Sequence, residues 1–111
     1  MTIHLEHRDS VAIFRPTGRL DSASSPELER MLTAELDAGT SRLVFDFADL
    51  DYISSAGLRV VLLAGKKLRT CQGKLALAGL RENVREVFSM SGFLALFAVA
   101  PNLEEALKSV A

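Results

Sequence analysis

The stretch RLVFDFADLDYISSAGLRVVLLA, Arg42 to Ala64, decides the fold. Arg42 to Phe47 is a near-continuous run of β-branched, aromatic and other apolar residues, the pattern of a strand covered on both faces. A short loop carrying Asp49 and Asp51 comes next. A helix then opens near Ser54 or Ser55 and runs to the region of Leu68. A buried strand followed by a helix is half of a β-α-β unit, which requires a parallel sheet with helices as crossovers.

Upstream, Ile3 and Leu5 alternate with polar neighbours, Asp9-Ser10 reads as a turn, and Val11 to Arg15 reads as a second strand. The chain therefore opens with a hairpin. Pro16 has no N–H to give to a ladder, which sets the end of that strand at a sheet edge or bulge. A polar, turn-rich stretch leads to a helix capped by Ser24 or Ser25, with Pro26 in its first turn and Glu27 at capping-box spacing from Ser24. Leu28, Leu32 and Leu36, with Met31 beside them, form its apolar stripe, and Gly39 ends it.

Downstream, Cys71 to Gly73 reads as a turn, and Lys74 to Ala78 as a short buried strand. A helix over Arg81 to Met90 carries Val84, Val87 and Phe88 on one face and closes at Gly92. Phe93 to Val99 reads as a last strand. Asn102 and Glu105 have the spacing that caps a final helix, whose stripe is Leu103, Ala106, Leu107 and Val110. The order β-β-α-β-α-β-α-β-α predicts one α/β domain over residues 1–111, with a mixed, mainly parallel sheet of about five strands and about four helices.

Composition sets the outer limits. With 49% hydrophobic and 24% charged residues the chain is built to fold around a core rather than to stay disordered. Thirteen basic against 14 acidic residues leave no electrostatic footprint for nucleic acid. No apolar run approaches the roughly 20 residues of a membrane span, and the first residues do not resemble a secretory signal. The expectation is a cytoplasmic protein. One cysteine, Cys71, allows no internal disulfide and reads as a small residue beside a turn.

The segment Asp46 to Leu58 concentrates the functional signal, because partners and ligands meet a parallel sheet at the carboxyl ends of its strands. The plain reading of Ser54 and Ser55 is helix capping, with one serine accepting a backbone N–H and the other a bystander. The same geometry also favours a phosphate, since a helix start presents free N–H groups and about half a positive charge. Phosphorylation of Ser55 would add about −1.5 to −2 charge units. With Asp49 and Asp51 nearby, that charge would repel an acidic or apolar partner, while Gly57 would keep the local surface flat. Catalysis by these serines lacks support. There is no G-x-S-x-G elbow and no S-x-x-K, and the only histidines, His4 and His7, lie on the first strand. No metal-ligand spacing or nucleotide loop is present.

At these residues the chain resembles the bacterial anti-sigma-factor antagonists, or anti-anti-sigma factors, of the STAS domain family. The likeness includes Thr17-Gly18-Arg19-Leu20-Asp21, Leu43 to Leu50, Tyr52-Ile53-Ser54-Ser55-Ala56-Gly57-Leu58, and Val84 to Gly92. The resemblance implies a non-enzymatic partner switch that needs no cofactor. The unmodified form would bind an anti-sigma factor with serine kinase activity and so free a sigma factor. The kinase would phosphorylate the antagonist, and a PP2C-type phosphatase would reset it.

In the family the phosphoserine is the first hydroxyl of an Asp-Ser-Ser/Thr-Gly motif, which on Gly57 maps to Ser55. Here Ser54 replaces the Asp and Ala56 the second hydroxyl, so Ser54 is a second candidate. Asp21 matches a family position near the partner surface, and is equally an ordinary turn aspartate. The implied docking residues are Asp21 and Ser22 on one loop, and Tyr52, Ser54, Ser55, Ala56, Gly57, Leu58 and Arg59 on the other. Two other readings stay open: a constitutive STAS scaffold or subunit of a larger sensory or lipid-transport assembly without a phosphate cycle, and a small hydrolase using Ser55.

Overall fold

A computed structural model describes residues 1–111. The elements are β1 (Thr2–Arg8), β2 (Val11–Leu20), α1 (Ser25–Asp37), β3 (Arg42–Asp46), β4 (Leu50–Ile53), α2 (Ser55–Thr70), β5 (Lys74–Ala78), α3 (Glu82–Met90), β6 (Ala98–Ala100) and α4 (Leu103–Ser109). They form a six-stranded sheet in the order β1-β2-β3-β5-β6, with β4 also paired to β2. Only the β1–β2 hairpin is antiparallel. The expected α/β domain with an opening hairpin and four helices is therefore present.

Strand alternation divides the core into two layers. Ala12, Phe14, Leu43, Phe45 and Leu77 face a large cluster shared with α1, α2 and α3. Their neighbours Val11, Ile13, Val44, Ala76 and Ala78 face α4 through Ala106 and Val110. A line of aromatic rings runs through the larger layer, from Phe14 to Phe45, Phe47, Phe88 and Phe97, with successive centroids 5.4–6.5 Å apart.

Three segments differ from the sequence reading. Residues Leu50–Ile53, read as loop, form the sixth strand. Aspartates are poor strand formers, but here Leu50 and Ile53 are buried while Asp51 and Tyr52 face solvent. Pro16 does not end its strand, and β2 continues to Leu20. Pairing with β3 stops at Phe14 and pairing with β4 starts at Gly18, so Pro16 falls in the gap between two ladders, where a missing N–H is tolerated.

Phe93 to Val99 is mostly not a strand. Gly92, at φ +77°, turns the chain off α3: its N–H donates to Ser89 O (3.1 Å), and Phe93 N–H donates to Phe88 O (2.9 Å). That pair of bonds is a Schellman close. A single 3-10 turn over Leu94–Leu96 follows, and β6 adds only three residues against Ala76–Ala78. An apolar run cannot say by itself whether it pairs or wraps.

Candidate functional site

β2 and β4 run parallel with Leu20 opposite Ile53, so the chain leaves both strands at the same end of the sheet. Asp21 and Ser22 follow Leu20, and Ser54 and Ser55 follow Ile53. Register alone thus brings together two loops that lie 33 residues apart in sequence, counting from residue 21 to residue 54. Ser54 N–H donates to Leu20 O at 2.9 Å and ties one loop to the other.

The two serines have different surroundings. Ser54 is the N-cap of α2, extended at φ −95° and ψ 176°, and its Oγ accepts from Gly57 N–H at 3.4 Å. It is half-buried. Ser55 is the first helical residue and is exposed, and its hydroxyl makes no hydrogen bond. The amides of Ser55 and Ala56 belong to the first turn, where helices have no internal partner for N–H groups. Capping therefore occupies one hydroxyl and leaves the other beside free donors.

Gly57 does not flatten the surface, as the sequence suggested. It is buried. A Cβ there would stand 2.7 Å from Leu20 Cγ and 2.9 Å from both Ile53 Cγ1 and Leu20 O. Leu58 is also buried, at 6% exposure, and packs in the large core. These two residues seat the turn from within. Ser22, Ser55 and Arg59 are exposed, and Ala56 is half-buried. Arg59 reaches Glu29 of α1 at 3.6 Å.

The Asp21 loop is ordered by its own hydrogen bonds. Asp21 Oδ1 accepts from the amides of Ala23 (3.0 Å) and Ser24 (3.2 Å). Ser24 Oγ donates to Arg19 O at 2.8 Å and accepts from Asp21 N–H at 3.0 Å. Ser24 is thus spent on this loop, and its side chain does not cap α1, contrary to the capping-box spacing. The Ser24 amide first, then the Ala23 amide, hold the Asp21 carboxyl below its usual range, against an opposing effect of burial. Asp21 is ionised at neutral pH.

Sequence reasoning missed two contacts that brace the site. The Arg19 guanidinium lies 4.1 Å from the centroid of the Tyr52 ring, a cation–π contact across the β2–β4 pair. Arg81, just before α3, donates to Ala48 O at 2.9 Å and pairs with the Asp51 carboxylate. Asn83 Nδ2 donates to Asp51 O at 2.6 Å. Both contacts join residues about 30 positions apart, and no local pattern announces them. Asp51 is therefore neutralised at close range, while Asp49, exposed and without an ion pair, precedes β4 and so lies at the opposite end of that strand from Ser55, not beside it as the sequence suggested.

The sheet end, with its serine-bearing helix start beside an Asx-turned loop, fits the family whose model the sequence matches. The STAS domain model matches residues 2–106, and the chain belongs to that family. Among its relatives, a Bordetella bronchiseptica protein named as a candidate anti-sigma factor antagonist, BtrV, is 48% identical over 106 residues, covering 96% of this chain and 91% of that protein. The anti-sigma F factor antagonist of Paenibacillus polymyxa is 27% identical over 112 residues, covering 96% and 92%. Among solved structures, an anti-sigma factor antagonist from Mycobacterium paratuberculosis superposes with a TM-score of 0.90 at 25% identity, covering 98% of this chain and 92% of that one. No helix of this chain is long and apolar enough to cross a membrane.

The capping assignment separates two variants. Ser54→Ala should lower unfolding free energy by about 0.5–2 kcal/mol, the range for a lost N-cap. Ser55→Ala should stay within about 0.5 kcal/mol of the parent. Equilibrium urea unfolding measures both, and equal losses would contradict the assignment. Asp21 adds a pH signature. Its depressed folded value means that its stabilisation is complete above the unfolded value of about 4 and is lost as pH falls through the folded one. A carboxyl carbon-13 titration should give a midpoint below that of an unstructured aspartate; a midpoint at or above it would contradict the loop geometry.

Proposed function

We propose that this chain is an anti-sigma factor antagonist that works by partner switching, with Ser55 as the control point. The single observation that carries the reading is the division of labour at the start of α2. Ser54 holds the cap, so the fold does not need the Ser55 hydroxyl, which is exposed and free to be modified.

In its unmodified form the chain docks on an anti-sigma factor with serine kinase activity. The docking face is made of the exposed groups around the two loops, Ser22, Tyr52, Ser55 and Arg59, with the accessible parts of the half-buried Asp21, Ser54 and Ala56 among them. The kinase transfers a phosphoryl group to Ser55, and a PP2C-type phosphatase removes it. The phosphate adds about −1.5 to −2 charge units at the centre of that face. First-turn amides and the helix dipole stabilise it on the antagonist itself, so the fold tolerates the change. A partner surface complementary to a neutral hydroxyl does not. It now faces unpaired charge next to the Asp21 carboxylate, and like charges brought together at an interface cost several kcal/mol.

The test is a titration of the cognate anti-sigma factor with the parent chain, Ser55→Ala and Ser55→Asp. The alanine variant should bind within about threefold of the parent, and the aspartate variant about tenfold or more weakly. Ser55→Asp should meanwhile fold at least as stably as the parent, because an acidic residue in the first turn favours the helix. Undiminished binding by Ser55→Asp would leave the constitutive scaffold reading in its place.

A further inference from the structure

Gly65 lies in the middle of α2, where glycine is the least favourable residue after proline. It is half-buried, and a Cβ there would stand 3.3 Å from Phe97 Cε1 and 3.7 Å from Leu75 Cδ2. Its bareness leaves the floor of a groove open. The groove runs between the C-terminal half of α2, β5 and the 3-10 turn, and has a volume of about 350 Å³. Leu62, Leu75, Leu96 and Phe97 give it an apolar wall, and Leu96 is 56% exposed.

Lys66 and Arg69 stand at its rim, both exposed. Neither makes an ion pair or a side-chain hydrogen bond, unlike Arg19, Arg59 and Arg81 near the Ser55 end, which all meet carboxylates. The negative end of the α2 dipole explains basic residues in its last turn. It does not explain an open apolar trough beside them. A stable protein partner would cover about 800 Å² and 20–30 residues on each side. Nine residues line this groove, and its volume falls within the roughly 300–1,000 Å³ of small-molecule sites.

We propose that the groove binds an anionic amphiphile of short to medium chain length. The acyl chain lies along Leu62, Leu75, Leu96 and Phe97, and Lys66 and Arg69 hold a carboxylate or phosphate head. The match is one of charge and polarity together: an apolar trough with unpaired cations at one rim suits a molecule that is apolar at one end and anionic at the other. The site is separate from the docking face. Lys66 follows Ser55 by eleven residues on the same helix, a rise of about 16 Å.

The experiment is a titration of the nitrogen-15-labelled full chain, below micellar concentrations, with decanoate, decyl phosphate, decanol and inorganic phosphate in separate arms. Decanoate, decyl phosphate or both should give saturable shifts confined to the amides around Gly65, Leu75, Leu96 and Phe97. Whichever of the two binds more tightly identifies the head group. Octanoate should bind about fifteenfold more weakly than decanoate, because it lacks two methylenes and each buried methylene is worth about a fourfold gain. The double variant Lys66→Glu/Arg69→Glu, which changes only exposed residues, should keep its spectrum and bind about fivefold or more weakly. The proposal is overturned if neither anionic probe saturates, if decanol binds as tightly as they do, or if the double variant binds like the parent.

Discussion

The first turn of α2 rests directly on the end of β2, and the rest of the site depends on that contact. Leu20 O accepts the Ser54 N–H at 2.9 Å and would also stand 2.9 Å from any Cβ at position 57. Only glycine allows the two backbones to close to this distance. Once they close, three consequences follow together. The Asp21 loop and the serine pair emerge side by side, Ser54 is in position to cap, and Ser55 is turned outward. A larger residue at 57 would push the helix start off the sheet and disturb all three.

The contact also separates structure from signal. Buried groups at the helix start, Gly57 and Leu58, do structural work, and the polar groups around them are satisfied within the chain: Ser54 by a helix amide, Asp21 by two loop amides, and Asp51 by Arg81. Of the two serines at the helix start, Ser55 is the one with no such role. A modification there changes the outer surface at little cost to the interior, which is the property that a reversible switch requires.

Much of this was legible in the sequence, and the failures have physical causes. The parallel sheet followed from Arg42 to Phe47 because a strand buried on both faces writes a near-continuous apolar run. The serine pair stood out because helix starts have strong residue preferences. Strand β4 was missed because its four residues spend two on solvent, and aspartate masked the pattern. Pro16 was misjudged because its tolerance depends on where two other strands begin and end. Ser24 was assigned to α1 by spacing, yet Asp21 and Arg19 compete for the same hydroxyl and win. Gly57 was recognised as part of a motif, but its reason, close packing against Leu20, lies 37 residues away in sequence. Information that is local was readable; information set by register was not.

The most direct measurement is peptide mass spectrometry of the chain after incubation with ATP and its cognate anti-sigma kinase. The account predicts a single phosphate, carried by Ser55, and none on Ser54, whose Oγ is held by the helix amide. Phosphate on Ser54, or on neither serine, would contradict it.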